Sequence, residues 1–322
     1  MSTTSWADMP FDVKLIIVKP LDRISKISLR QCSHDDKLLV DRLFVPIREI
    51  DFIANVNYIT ITFDHELSDF FEQHEEGTAV RRQKNLIPFA RFLITDSFQH
   101  VAWRSLRNML KCQEDSIDRL TFTFIGNLRP GEEEVPERIV PELPAETVKV
   151  RMITINGESR EAISHQIIQF AKPQIEELYM SVQVLNVSEV SAVPNLEQMK
   201  NVKSLRTNVP MTVEQALELK ATVVNIGSTL FTDEGIVALL KKSLQTGKPT
   251  EFSYYRMWPD HLKIIEGFDS TPWVSELSSR YSNIPDYGLA SKNYILKLPE
   301  TECELFVSIG RYIVSGVILN KL

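Results

Sequence analysis

Apolar residues recur at Val13, Ile17, Val18, Leu21, Ile24, Ile27 and Leu29 in a stretch that opens at Met9-Pro10 and closes at Cys32-Ser33. No other feature limits so tightly what this chain can fold into. Pro10 suits the start of a helix, where its missing N–H costs nothing. Val13, Ile17 and Leu21 then recur every four residues, the spacing of one helical stripe. Pro20 and Asp22 punctuate, so the pattern predicts a second helix over 23–31 capped by Asp22. Ser33 and Asp35 cap a third, which carries Leu38, Leu39 and Leu43. Three short helices cannot bury enough apolar surface to stand alone. Their apolar faces must meet the rest of the chain, another protein, or both.

Beyond Leu43 the pattern changes to alternation. Strand-like runs fall at Ile50–Phe63, Ile117–Ile125, Val148–Ile155, Ile175–Val182, Val202–Thr207, Thr222–Ile226 and Phe252–Met257. Helical patterns lie between several of them, at Arg160–Phe170, Val187–Met199, Val213–Leu219 and Thr232–Leu244. Units of one strand and one helix at such intervals suit a leucine-rich-repeat-like stack with a curved sheet. An ordinary α/β sandwich of βα units fits the same pattern. The expected fold is therefore α/β: an N-terminal three-helix module over 5–45 and an α/β repeat-like domain over 46–322.

The N-terminal residues MPFDVKLIIVKPLDRISKISLRQCS resemble an F-box, through Met9-Pro10, Ile17, Leu21-Asp22, Leu29-Arg30 and Ser33. The resemblance implies binding of the Skp adaptor, and through it a cullin scaffold, by Met9, Pro10, Val13, Ile17, Leu21, Ile24 and Leu29. It also implies that the remainder captures a protein substrate for ubiquitination. On spacing alone, the same helices could cap the domain that follows. A second segment, Ala216–Tyr255, is similar to the type 2 F-box-associated domain of nematode F-box proteins. Leu217-Glu218-Leu219, Val223–Ile226, Thr232-Asp233, Leu239-Leu240-Lys241 and Gly247 carry that likeness, within a core of about 180–270. Read without any family, Thr232 or Asp233 caps a helix there, Ile236, Leu239, Leu240 and Leu244 form its buried face, and Gly247 ends it.

Composition narrows the function. A net charge of −7 argues against nucleic acid, which selects basic surfaces. Cys32, Cys112 and Cys303 form no close pair, so neither a disulfide framework nor a CxxC knuckle is expected. MSTTSWADMPFD lacks the basic flank and apolar stretch of a signal peptide, and no apolar run reaches membrane length. The expectation is a chain of the cytosol or nucleus with no membrane partner, for which the triplet at Asn186 is chance. His65-Glu66 and His74-Glu75 do not extend into HExxH, and are expected on the polar side of a helix carrying Leu67, Phe70 and Phe71. Arg129–Glu146, rich in proline and glutamate, reads as an exposed loop, and Arg81-Arg82-Gln83-Lys84 as a solvated turn.

No phosphate-cradling glycine loop or GxSxG elbow occurs. No cofactor or metal is expected, and the chain reads as a non-catalytic receptor. A site assembled only in space would be the enzymatic alternative; a module that sequesters its partner without ubiquitination is another. For target capture, Tyr254, Tyr255, Arg256 and Trp258 form an aromatic run of the type enriched at interfaces. Strand alternation would turn half of that run inward, and Trp273 after Pro272 is undecided between core and surface.

Overall fold

The structure is a computed structural model that describes residues 5–21, 23–30, 32–42, 47–85, 87–111, 116–126, 148–157, 161–182, 192–227, 230–255, 259–272, 291–298 and 301–319. Three helices come first: α1 (Phe11–Val18), α2 (Arg23–Arg30) and α3 (His34–Arg42). An antiparallel meander follows, β1 (Glu49–Asn55), β2 (Tyr58–Phe63), β3 (Leu67–His74), β4 (Gly77–Lys84) and β5 (Ile87–Ile94). Helix α4 (Phe98–Lys111) leads to β6 (Ile117–Ile125) and β7 (Val150–Gly157). Then come α5 (Glu161–Phe170), β8 (Glu177–Val182), α6 (Glu197–Lys200), β9 (Ser204–Thr207), α7 (Val213–Leu217), β10 (Val223–Ile226), α8 (Asp233–Thr246) and β11 (Glu251–Tyr255). Helix α9 (His261–Ile265) precedes β12 (Asp269–Pro272), β13 (Lys292–Lys297), β14 (Glu304–Ile309) and β15 (Ile313–Ile318).

Among the described residues all fifteen strands join one open, curved sheet, ordered β12-β13-β14-β15-β11-β10-β9-β8-β7-β6-β1-β2-β3-β4-β5. Its centre is parallel from β1 through β6 to β11, and each of β6 to β11 lies beside the strand that precedes it in that array. The parallel strands from β7 onward begin at residues 150, 177, 204, 223 and 251. By the general rule that crossovers to a parallel neighbour are right-handed, the connecting helices α5 to α8 fall on one face. The apolar core accordingly joins Ile163 and Ile167 of α5, Met199 of α6 and Leu239 of α8 to Phe122, Ile155, Met180 and Phe252 of the strands. Helix α4 covers β2 to β4 on that face, where Trp103 stacks 4.3 Å from Phe52.

Several sequence expectations need correction. Ile50–Phe63 is not one strand but the β1–β2 hairpin. Residues 67–74 form β3 rather than a helix: Leu67, Asp69 and Phe71 are buried and Ser68 and Phe70 face the other way. Leu67 and Phe71 are four residues apart, a spacing that satisfies the strand period as well as the helical one. Arg81-Arg82-Gln83-Lys84 ends β4 instead of turning in solvent. Arg82 reaches Asp69 through Nε at 2.9 Å and Nη2 at 3.3 Å, and Asp69 is 1% exposed. Val187–Met199 yields a 3-10 turn at Val193–Asn195 and α6, with residues 187–191 outside those described. Arg129–Glu146, Leu43, Cys112, Asn186 and Trp273 also lie outside the described residues.

The segment around α8 matches its sequence reading closely. The Thr232 hydroxyl accepts the Gly235 N–H, Ile236, Leu239, Leu240 and Leu244 are buried, and Gly247 closes the helix at φ 69°. Among the described residues no helix is long and apolar enough to cross a membrane, and no group of three His, Cys, Asp or Glu side chains is placed to hold a metal.

Two stability outcomes follow from these contacts. Arg82→Met removes the guanidinium that faces the buried Asp69 carboxylate and should cost about 3–5 kcal/mol in urea unfolding; the Asp69→Leu/Arg82→Met double variant should recover much of it. At Gly316 a Cβ would run into the Phe306 carbonyl oxygen and the Phe252 ring. Gly316→Ala should therefore lower stability by about 1–3 kcal/mol, read as a fall in the urea midpoint at constant slope.

Candidate docking surfaces

The first candidate surface is α1, FDVKLIIV, which carries apolar side chains all round. At about 100° per residue, Leu15 and Val18 point to one side while Val13, Ile16 and Ile17 point to the other. The inner side is used: Val18 is fully buried and joins Leu39 and Val40 of α3 in a small core, with Trp6, Leu15, Leu21 and Leu29 half-buried around it. On the outer side Val13 and Ile17 are each 42% exposed and Ile16 is 72% exposed. Phe11 at the head of the helix and Leu38 on the outward side of α3 are exposed as well. This core is separate from the core of the sheet.

Polar contacts hold the three helices in place. Ser33 precedes α3, and its hydroxyl accepts the Asp36 N–H at 3.0 Å and donates to the Asp36 carboxylate at 2.7 Å. Asp36, 5% exposed, also accepts the Trp6 indole N–H at 2.7 Å, which ties the segment before α1 onto α3. Lys26, 8% exposed, donates to the Lys19 carbonyl at 2.9 Å. A cation there meets the negative end of the α1 dipole and satisfies a carbonyl that the helix leaves open. The outward apolar face thus sits on a fixed frame.

The structure distributes the residues named from sequence unevenly. Val13 and Ile17 lie together on the outward face, and Pro10 is exposed at the helix start. Met9 is half-buried. Helix α1 ends at Val18, so Leu21 falls in the turn beyond it and packs with Leu29 on the inner core. The Ile24 side chain lies outside those described. Ile16 and Phe11 were missed by the four-residue count, because a stripe rule credits only one face. The signal that could have found them was present: α1 has too few polar residues to have a solvent side.

The second candidate surface is the face of the sheet that the helices leave uncovered. Thr121, Thr154, Tyr179, Arg206, Asn225 and Ser253 stand in register on six adjacent parallel strands. Each is at least partly exposed. Arg206 lies 5.8 Å from the Tyr179 ring centre, and Ser253 bonds Ser315 at 2.9 Å. Of the aromatic run, Tyr254 is 2% exposed, stacked on Phe252 at 5.0 Å and edge-on to Phe231. It is a core residue, turned inward by the strand period, and burial pushes the pKa of its phenol up. Tyr255 faces the uncovered side opposite Ile313, which is 40% exposed, and Arg311 lies over the exposed Tyr312 ring at 5.1 Å. Arg256 and Trp258 lie outside the described residues.

Salt bridges line the start of the parallel strands: Arg119–Glu49 at 2.6 Å, Arg151–Glu177 at 3.2 Å and Lys203–Glu176 at 2.6 Å. The Arg119 hydrogen bond holds the Glu49 carboxyl below its usual range. A lowered acid in the folded state stabilises above the unfolded pKa and loses that contribution as the pH falls. No protein-family profile, no curated protein and no solved structure matches the chain.

The two sides of α1 predict opposite outcomes. Ile16→Glu should change stability by no more than about 0.5 kcal/mol, because the side chain is already in water. Val18→Ala should loosen α1 from α3, and trypsin cleavage after Lys14, within α1, should speed up with the rest of the chain still folded.

Proposed function

We propose that this chain is a substrate receptor of a Skp–cullin–F-box ubiquitin ligase. In this reading α1 to α3 are an F-box that docks the Skp adaptor. The leucine-rich-repeat-like sheet holds a protein target on its uncovered face, around Tyr255. The chain performs no chemistry; it raises the local concentration of the target beside the ubiquitin-carrying enzyme.

One observation carries the reading: a short N-terminal module with its own small core keeps Val13, Ile16 and Ile17 outward on one helix face. A helix apolar on both sides is stable in water only if something covers its second side. Helical partners laid on such a face use i, i+3 and i+4 anchors, and Val13, Ile16 and Ile17 have that spacing. The open sheet face supports the second half, since it offers hydrogen-bonding side chains over many adjacent strands with no helix above them among the described residues.

Co-expression with a Skp adaptor tests it. Wild type should co-purify stoichiometrically, and an Ile16→Asp/Ile17→Asp variant should lose binding by about thirtyfold or more, the effect of removing a hot spot. These side chains are exposed, so the variant should melt with the wild type. Leu21→Asp is a poorer probe because Leu21 packs inward. A folded wild type that never binds an adaptor would reduce the module to a helical cap. Adaptor binding with bound-target levels unchanged by proteasome inhibition would favour sequestration.

A further inference from the structure

The sheet stops at β5, and among the described residues no strand lies on its outer side. Such an edge turns alternate backbone N–H and C=O groups outward, ready to pair with another chain. Pro88 and a register shift beside Arg82 and Gln83 interrupt pairing at the start of β5. The regular part is Ala90–Ile94, matched residue for residue to Arg82–Thr78 of β4. Within it Phe92 is 37% and Leu93 45% exposed.

Charge decides what can lie along this edge. Arg91 is directly opposite Arg81, on the face that the helices leave uncovered. Like charges opposite one another destabilise a sheet. Arg81 has an answer: Glu72 at 3.0 Å, with the Phe70 ring 4.5 Å beneath the guanidinium. Arg91 meets no carboxylate among the described residues. A second copy would not supply one, because Ala90–Ile94 contains no acidic residue. Two copies paired through this stretch would instead bring further guanidinium groups onto the same face.

We infer that Ala90–Ile94 is a β-augmentation site for an extended segment of another protein. The incoming strand carries an acidic residue against Arg91. Two positions along, on the same face, it carries an apolar residue against Leu93. Main-chain hydrogen bonds supply affinity and the two side chains supply choice. The inference stands whether or not α1 to α3 bind an adaptor.

The test uses the full chain, 15N-labelled, with acetyl-Thr-Val-Glu-Val-Leu-Val-Thr-amide and the same peptide with Lys in place of Glu. The acidic peptide should shift and protect amides within residues 90–94 and bind about tenfold tighter than the basic one. Arg91→Glu, an exposed change that replaces a like-charge pair with Arg81 by an opposite-charge one and so should not lower the melt, should reverse that preference. The inference is overturned by equal binding of both peptides, by shifts confined to other residues, or by no binding at millimolar peptide. Self-association through residues 90–94 that outcompetes the peptide would also overturn it, and would assign the edge to a second copy.

Discussion

Handedness of connection is the constraint on which this architecture rests. From β7 to β11 every parallel strand lies beside its predecessor, and among the described residues the connections carry α5, α6 with the 3-10 turn before it, α7 and α8. Right-handed crossovers put all of α5 to α8 on one face. One face becomes a continuous core, with Phe122, Ile155, Met180, Leu205, Val224 and Phe252 beneath the helices. The other can be covered only by something other than these crossovers. Its in-register Thr121, Thr154, Tyr179, Arg206, Asn225 and Ser253 are what a sheet uses where its side chains meet water.

The N-terminal helices obey a different limit, that of size. Among the described residues, Val18, Leu39 and Val40 form their buried apolar centre. So small a core leans on polar ties, and Trp6–Asp36–Ser33 and Lys26–Lys19 provide them. An isolated module of this kind that also turned three apolar side chains to water would be a liability without a partner. The proposed adaptor role follows from that imbalance, and the edge at β5 is a second place where the chain leaves bonding capacity unused.

Legibility in the sequence varied with how many signals coincided. The α8 segment was readable to within two residues, because cap, apolar period and terminal glycine all point to one answer. In the first 45 residues Pro10 and Ser33 stand where α1 and α3 begin, while α1 ends short of the Leu21 that the four-residue stripe assigned to it. Where a single signal stood alone the reading failed. Leu67 and Phe71 fit two periods at once, and only pairing with β2 and β4 made residues 67–74 a strand. Arg81 and Arg82 looked like solvent residues because charge was the only cue. Their carboxylate partners, Glu72 and Asp69, become neighbours only when β3 and β4 pair. Tyr254 and Tyr255 were indistinguishable as types, and the pleat sent one into the core and the other outward.

Local chemistry in the sequence therefore determined where helices begin and end, which side of each regular element is apolar, and that the first helix has no polar side. Those properties depend on residues within a turn of one another. Tertiary structure alone decided that, among the described residues, the strands share one sheet, that no helix covers one of its faces, that Arg82 serves a buried carboxylate while Arg91 meets none, and that Ile16 rather than Leu21 meets solvent. Each of these depends on which distant segment lies opposite, and the pairing energy that selects it is spread over many strands rather than written in any one of them.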